Sequence, residues 1–343
     1  MPHTLRTVAV SILALALLGW FLRDANLADV WHRVASLSLW DMVVATSLLA
    51  PMMLIRAVRW RCLLRPVGPA GIGNAMKATV IGFAISNVLP ARAGEVLRPY
   101  LLARKEGLPV AAAFATIVIE RVLDLGAVLG LLGVFVWSAG DMGFSAGLYR
   151  TVVVSAGLAA AAAVVLLAVM ATLASHPERI ATLVLRTSRV LPAGVAQTLS
   201  GLARTFSEGL AISRMPAALA EAICWSFLLW VCIAGQSWMV TNAFGIRMPF
   251  TGSFLLQALL VVGIAVPTPG GVGGFHEAYR LGTTTFFGAE GDAAIGAALV
   301  LHAMSFIPTT VLGVLFMLRE GLSLRRLRGL AETVPSEELP VAP

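Results

Sequence analysis

The chain has 343 residues, 58% of them hydrophobic and only 13% charged, with a mean hydropathy of +0.87. Soluble domains carry about 25% charged residues, so the composition excludes a water-soluble globular protein and places the chain in a membrane. The net charge of +7 follows the pattern of membrane topology and calls for no nucleic-acid partner.

Six apolar stretches predict transmembrane helices: Thr7–Leu22, Trp40–Ile55, Val110–Trp137, Thr151–Ala174, Ala217–Val240 and Ala293–Leu318. A span takes about 17–25 residues, so the first two borrow flanking residues. Thr7–Leu22 has no small-residue cleavage site after it and reads as a helix, not a signal peptide. Ala78–Pro90 and Phe250–Val266 are shorter and end in Pro/Gly breaks, which predicts two re-entrant half-helices. The segment 177–215 is the longest cytoplasmic stretch. Leu199, Leu202, Phe206 and Leu210 recur there at helical spacing, predicting an amphipathic helix on the inner leaflet or packed on the bundle. Residues 329–343 read as a disordered tail.

With six spans and a cytoplasmic N-terminus, 19 of 25 basic residues fall on the inner side, as the positive-inside rule requires. They include the cluster Arg56, Arg59, Arg61, Arg65 and Lys77 and the group Arg92, Arg98, Arg104 and Lys105. Both termini are then cytoplasmic, in a bacterial inner membrane. Cys62, Cys224 and Cys232 form no CxxC pattern, and neither a metal nor a cofactor is expected.

The polar positions suggest an internal repeat. A shift of 182 residues places Glu95 on Glu277, Arg98 on Arg280 and Glu120 on His302. The order span, span, broken segment, span also recurs. Three crossings per half give the halves opposite orientation, so residues 1–147 and 148–328 are read as an inverted repeat. The predicted fold is all-α and integral to the membrane.

Three charges interrupt the apolar run 110–137: Glu120, Arg121 and Asp124. Each costs about 2.5–3.5 kcal/mol at the centre of a span, so they must pair or face water. Glu120 and Asp124 share a helix face while Arg121 lies about 100° around. That leaves either an ion-pair clamp to a neighbouring helix or an acidic face seeking a cation, a proton or a partner. The first break carries Asn87, Arg92, Glu95 and Arg98; two arginines around one carboxylate suit a phosphate head group, or serve as topological anchors. The second break has six glycines and prolines among the eight residues 267–274, Pro269, Gly270 and Gly271 among them, followed by His276, Glu277 and Arg280. So many glycines suit close backbone approach, with amide N–H groups open to an anion. His276 is either a satisfied histidine or, with Glu277, a proton or phosphate partner. Arg56 and Arg59 are read as anchors or as a site for anionic lipid. Soluble-enzyme motifs (HExxH, GxSxG, zinc spacing, nucleotide loops) are absent from the sequence, and no enzymatic activity is expected.

Taken together, Arg56-x-x-Arg59-Trp60-x-x-Leu63-Leu64, Asn87-x-Leu89-Pro90-x-Arg92-x-Gly94-Glu95-x-x-Arg98, Glu120-Arg121-x-x-Asp124 and Pro267-x-Pro269-Gly270-Gly271-x-Gly273-x-x-x-Glu277 resemble the flippase-like membrane family named for the transmembrane region of lysylphosphatidylglycerol synthases. The resemblance implies a protein that moves polar or charged lipids between leaflets, or serves a pathway that makes them. In the two-part synthases a soluble domain adds the amino acid; the sequence after the last span holds none, so aminoacyl transfer is not expected. Family members occur near genes for several lipid classes, so the resemblance does not name the cargo.

The resulting expectation is a central cavity lined by Arg92, Glu95, Arg98, Glu120, Arg121, Asp124, Glu277 and Arg280. It would pass the head group of a phospholipid or polyprenyl-linked lipid, with a lipid-biosynthesis enzyme as a possible partner. Two other readings use the same residues: an ion-coupled small-solute transporter, and a membrane enzyme or accessory of envelope-lipid synthesis working through His276 and Glu277.

Overall fold

A computed structural model of the chain describes residues 3–89, 93–139, 145–176, 193–266 and 268–322. Every regular element among them is helical. In chain order these are α1 (His3–Leu22), α2 (Leu27–Ala35), α3 (Leu39–Ser47), α4 (Leu49–Leu64), α5 (Ile72–Val88), α6 (Ala93–Glu106) and α7 (Val110–Ser138). They continue as α8 (Ala146–Ser175), α9 (Ala193–Gly209), α10 (Pro216–Ala243), α11 (Gly252–Ile264), α12 (Gly274–Phe287) and α13 (Gly291–Arg319).

Four stretches are long and apolar enough to cross a membrane: Leu39–Leu64, Tyr149–Leu166, Pro216–Ala243 and Gly291–Arg319. α7 is as long, at 29 residues, and carries its three charges in the middle. The surface is apolar where a soluble protein's would be polar: Val153, Val154, Leu158, Val164 and Val165 of α8 and Val311, Leu312 and Leu315 of α13 are exposed. This is the surface of a multi-pass integral membrane protein, whose spans face hydrocarbon.

The second predicted span runs further than its apolar pattern. Its helix continues past Ile55 to Leu64, with a break at Leu48 between α3 and α4. Pro51 explains the break, because it has no N–H to donate to the carbonyl of Ser47. The extension draws Arg56 and Arg59 into the bundle, so these two do not stand in the exposed basic flank where the sequence reading put them.

The breaks shape the centre. α5 and α6 fold back on each other so closely that a Cβ on Gly94 would stand 1.8 Å from the carbonyl oxygen of Gly82. α11 and α12 do the same: a Cβ on Gly274 would stand 2.2 Å from the carbonyl oxygen of Gly263. Only glycine permits such backbone contact. At about 1.5 Å per residue, α6, α11 and α12, of 14, 13 and 14 residues, are each too short to cross roughly 30 Å of hydrocarbon, and α5, of 17, stands at the lower limit of a span. The two hairpins meet at their tips, where Gly270 approaches the carbonyl oxygen of Asn87.

Two apolar clusters flank this centre. One gathers Trp60, Leu64, Leu102, Leu210 and Ile212; the other gathers Phe21, Ile246, Tyr279 and Leu301. α10 runs from the first (Ala218, Ala222) to the second (Val240), with Trp230, Ile233 and Gln236 facing a cavity between. Of the amphipathic segment 177–215, the part 177–192 lies outside the described residues. α9 packs on α7, with Gly209 against the carbonyl of Ala112, the packed alternative of the two considered. The tail 329–343 also lies outside the described residues.

Candidate functional site

α7 supplies the hub. Glu120 is fully buried, and its Oε1 accepts hydrogen bonds from Arg98 Nη1 at 2.9 Å and from Arg121 Nη2 at 2.6 Å. Arg59 Nη2 lies 3.2 Å from the same oxygen, an ion pair without hydrogen-bond geometry. Asp124 Oδ1 accepts from Arg59 Nη1 at 2.5 Å and from Trp230 Nε1 at 3.0 Å, and its Oδ2 lies 3.3 Å from Arg121. Arg59 Nη1 also donates to Ser226 Oγ at 2.9 Å. The acidic face of α7 is thus met by arginines from α4, α6 and its own next position, which is the ion-pair clamp of the two alternatives. Charges left alone at this depth would cost several kcal/mol each; paired, they join four helices.

The arginines are aimed by aromatic rings. The Arg98 guanidinium lies 4.0 Å from the centre of the Trp60 ring. Trp60 is held in turn by donating Nε1–H to Thr116 Oγ1 at 3.0 Å. Arg56 lies 4.8 Å from the Phe83 ring centre. Arg98 is 4% exposed, so it too belongs to the interior and not to the basic flank.

Beside this cluster lies a cavity of about 510 Å³. Arg56, Glu95, Arg98, Arg121 and Asp124 line it, as do Asn87, Gly270 and Gly271. Arg59 and Glu120 stand behind the wall and hold it. Several polar atoms of the cluster keep unused capacity among the described residues: Nε of Arg56, Arg98 and Arg121, Nη2 of Arg98, and Oδ2 of Asp124. Asn87 donates to Thr310 Oγ1 at 2.9 Å and to Thr309 Oγ1 at 3.4 Å, tying the end of α5 to α13.

The second motif divides. Gly270, Gly271 and Gly273 have φ of +60°, +72° and +88°, which only glycine adopts freely, and Pro269 opens the 3₁₀ turn they continue. His276 does not line the cavity: its ring stacks 4.6 Å behind His302, which does. The Gly273 N–H donates to His276 Nδ1 at 3.2 Å, capping α12. Glu277 and Arg280, expected on the cavity wall, instead pair with each other at 2.5 and 2.9 Å on α12 and line no part of it. The 14 residues of α12 turn about four times at 3.6 residues per turn, and the residue it presents to the cavity is Phe275. Arg92, Pro90 and Pro267 lie outside the described residues.

The sequence reading missed Gln236, Gln257, Trp230, His302 and Ser305 as wall residues. A signal existed for the two glutamines, which sit at 2% and 3% exposure in otherwise apolar helices: an amide at membrane depth needs a partner.

Residues 7–313 match the family described as the lysylphosphatidylglycerol synthase TM region. The match spans most of the chain, which therefore belongs to that family. Among its relatives, a UPF0104 membrane protein of Methanothermobacter thermautotrophicus is 23% identical over 92% of this chain and 94% of its own length. A second UPF0104 membrane protein, from Methanocaldococcus jannaschii, is 36% identical over 20% of this chain and 22% of its own length. Glycosyltransferase AglD of Haloferax volcanii is 25% identical over 79% of this chain, so the chain matches only 47% of that relative's length.

Proposed function

We propose that this protein is a lipid translocator of the flippase or scramblase kind, moving a polar or charged phospholipid or polyprenyl-linked lipid between leaflets. The observation that carries the reading is the cavity at the centre of a membrane protein, walled by Arg56, Arg98 and Arg121, with Glu120, the partner of the last two, buried behind them. A lipid head group crossing hydrocarbon must replace its water with other polar groups. Fixed ion pairs with spare donors supply that replacement without reorganising, while acyl chains stay in the bilayer.

The architecture is read as six spans with two re-entrant hairpins entering from opposite faces, related as an inverted repeat. Supporting this, α6 and α12 have 14 residues each and α7 and α13 have 29 each. Both pairs are offset by 181 residues. The Gly82–Gly94 crossing has its counterpart in Gly263–Gly274. Binding sites at the interface of such repeats are a transporter habit. We place both termini in the cytoplasm of a bacterial cell. No catalytic step is proposed, since Glu277 is held by Arg280 away from the cavity and His276 is engaged by the Gly273 N–H.

The test is translocation of labelled phospholipids in proteoliposomes, with and without a proton gradient. Wild type is expected to flip at least one lipid class faster than empty liposomes, and Arg56→Gln, at an arginine with no ion pair to lose, to slow it. Movement no faster than in empty liposomes across the whole panel would overturn the reading.

A further inference from the structure

The cavity has two chemically different walls. All five charged residues that line it, Arg56 to Asp124, come from α4, α6 and α7 of the first half. The described residues that the second half adds to the wall include no Asp, Glu, Lys or Arg. Its polar groups there are Gln236, Gln257, Thr268, His302, Ser305, Thr309 and the indole of Trp230.

The charged wall is suited to an anion. Its lining charges are three arginines (Arg56, Arg98 and Arg121) against two carboxylates (Glu95 and Asp124), a net positive wall, and Asp124 already accepts from Arg59. Arg56 differs from the other arginines of the wall in making no ion pair among the described residues; it rests on the Phe83 ring and, as they do, keeps Nε without a partner. A phosphate oxygen satisfies a guanidinium in that position. An ammonium group would face a wall of net positive charge.

The neutral wall is suited to hydroxyls. Gln257 donates Nε2–H to Ser237 Oγ at 2.5 Å, which orients the amide and leaves Oε1 as an acceptor. Gln236 is fixed by donating to the carbonyl of Ala45 at 3.0 Å. Thr268 Oγ1 donates to the carbonyl of Val272 at 2.8 Å and keeps its lone pairs. His302 Nδ1 is buried and without a partner. Amides, hydroxyls and an imidazole offer donors and acceptors without net charge, the complement of a polyol.

We infer that the cavity selects a lipid whose head group is a single phosphodiester bearing an uncharged polyhydroxyl moiety, with Arg56 on the phosphate and the Gln236–Gln257 wall on the hydroxyls. This deepens the lipid reading above and rests on it for the location of the site. Glycerol, inositol or a sugar shares this chemistry.

Equilibrium binding of short-chain lipids to the full-length protein in detergent tests it. The probes are dioctanoyl forms of phosphatidylglycerol, phosphatidylinositol, phosphatidylmethanol (the same charge without hydroxyls) and phosphatidylethanolamine, with a glucosyl diacylglycerol lacking phosphate and a prenyl phosphosugar. Hydroxyl-bearing phosphodiesters are expected to bind roughly threefold to tenfold more tightly than phosphatidylmethanol, the effect of about one net hydrogen bond. Which of glycerol, inositol or sugar binds best names the source. Arg56→Gln is expected to weaken all phosphodiesters about equally, by roughly tenfold or more. Gln257→Leu is expected to abolish the hydroxyl preference while leaving phosphatidylmethanol unchanged; Thr268→Val serves if that variant is unstable. Phosphatidylmethanol binding as tightly as phosphatidylglycerol, the amine lipid binding tightest, or a preference surviving both wall variants would overturn the inference. Since binding is read without transport, this ranking in a protein that flips nothing refutes only the translocator. Flipping without the ranking refutes only the head-group assignment.

Discussion

Arg59 of α4 and Asp124 of α7 meet at 2.5 Å with side chains 0% and 8% exposed. The pair joins two helices that are 45 residues apart at their nearest ends, at a depth where neither charge has water. Breaking a buried pair by removing one partner costs about 3–5 kcal/mol, because the other charge is left behind. Arg59→Leu is therefore expected to be the most destabilising change among the cluster arginines, read as loss of the monodisperse peak after heating in detergent. Arg59→Leu combined with Asp124→Leu should recover part of that loss. A single variant as heat-stable as wild type would show that Arg98 and Arg121 hold both carboxylates unaided.

The hairpins rest on glycine. Gly94→Ala and Gly274→Ala each place a Cβ within 2.2 Å or less of a carbonyl oxygen on the facing helix, so the helices must part and both variants should fail to give monodisperse protein. Gly126→Ala meets nothing within 4 Å and lies inside a helix, where alanine is favoured by about 0.5–1 kcal/mol; it should be neutral or stabilising. Equal behaviour of the three would contradict the close crossing.

The molecule has two ionic ends. At one, the backbone N–H of Asn26 donates to Asp292 at 3.0 Å and Arg33 pairs with Glu290 at 2.8 Å. At the other, Glu320 takes Lys77 at 2.8 Å and Lys105 at 2.6 Å. α13 separates them by about 43 Å at 1.5 Å per residue. In a cysteine-free background, Asp24→Cys and Lys105→Cys should therefore react with impermeant maleimide from opposite sides of the membrane, Lys105→Cys from the cytoplasm. Labelling of both from one side would refute the topology.

Glu320 also carries a pH dependence. Hydrogen bonds from Lys105 and then Lys77 hold its carboxyl below the usual range. A carboxyl depressed in the folded state adds stability above its unfolded pKa, and that stability is lost as pH falls through the folded value. The group is partly exposed, so screening keeps the effect to about 1 kcal/mol or less. Glu320→Gln should lower the thermal midpoint at pH 7 and in low salt, and the difference from wild type should vanish in acid. A gap that persists well below the carboxylate range would assign the effect to packing.

Much of this was legible in the chain. Six apolar runs, two Pro/Gly breaks and three charges at the middle of one run are properties of residue order, and the helices α7, α8, α10 and α13 fall within a few residues of them. That the charges must pair or face water was legible because isolated ones are too costly in hydrocarbon, and the buried glutamines carried the same signal unread. Which partner each charge takes was not legible. Arg56 and Arg59 look like a basic flank in sequence because their spacing after an apolar run is that of a topological anchor. Only the extension of α4 past Ile55, and its packing against α7, turns Arg59 inward. Glu277 and Arg280 repeat the spacing of Glu95 and Arg98, yet one pair is closed on itself and the other is divided between the cavity and Glu120. Periodicity determines that a helix has a polar face; the neighbours it packs against decide whether that face meets a cavity, a carboxylate or its own next turn.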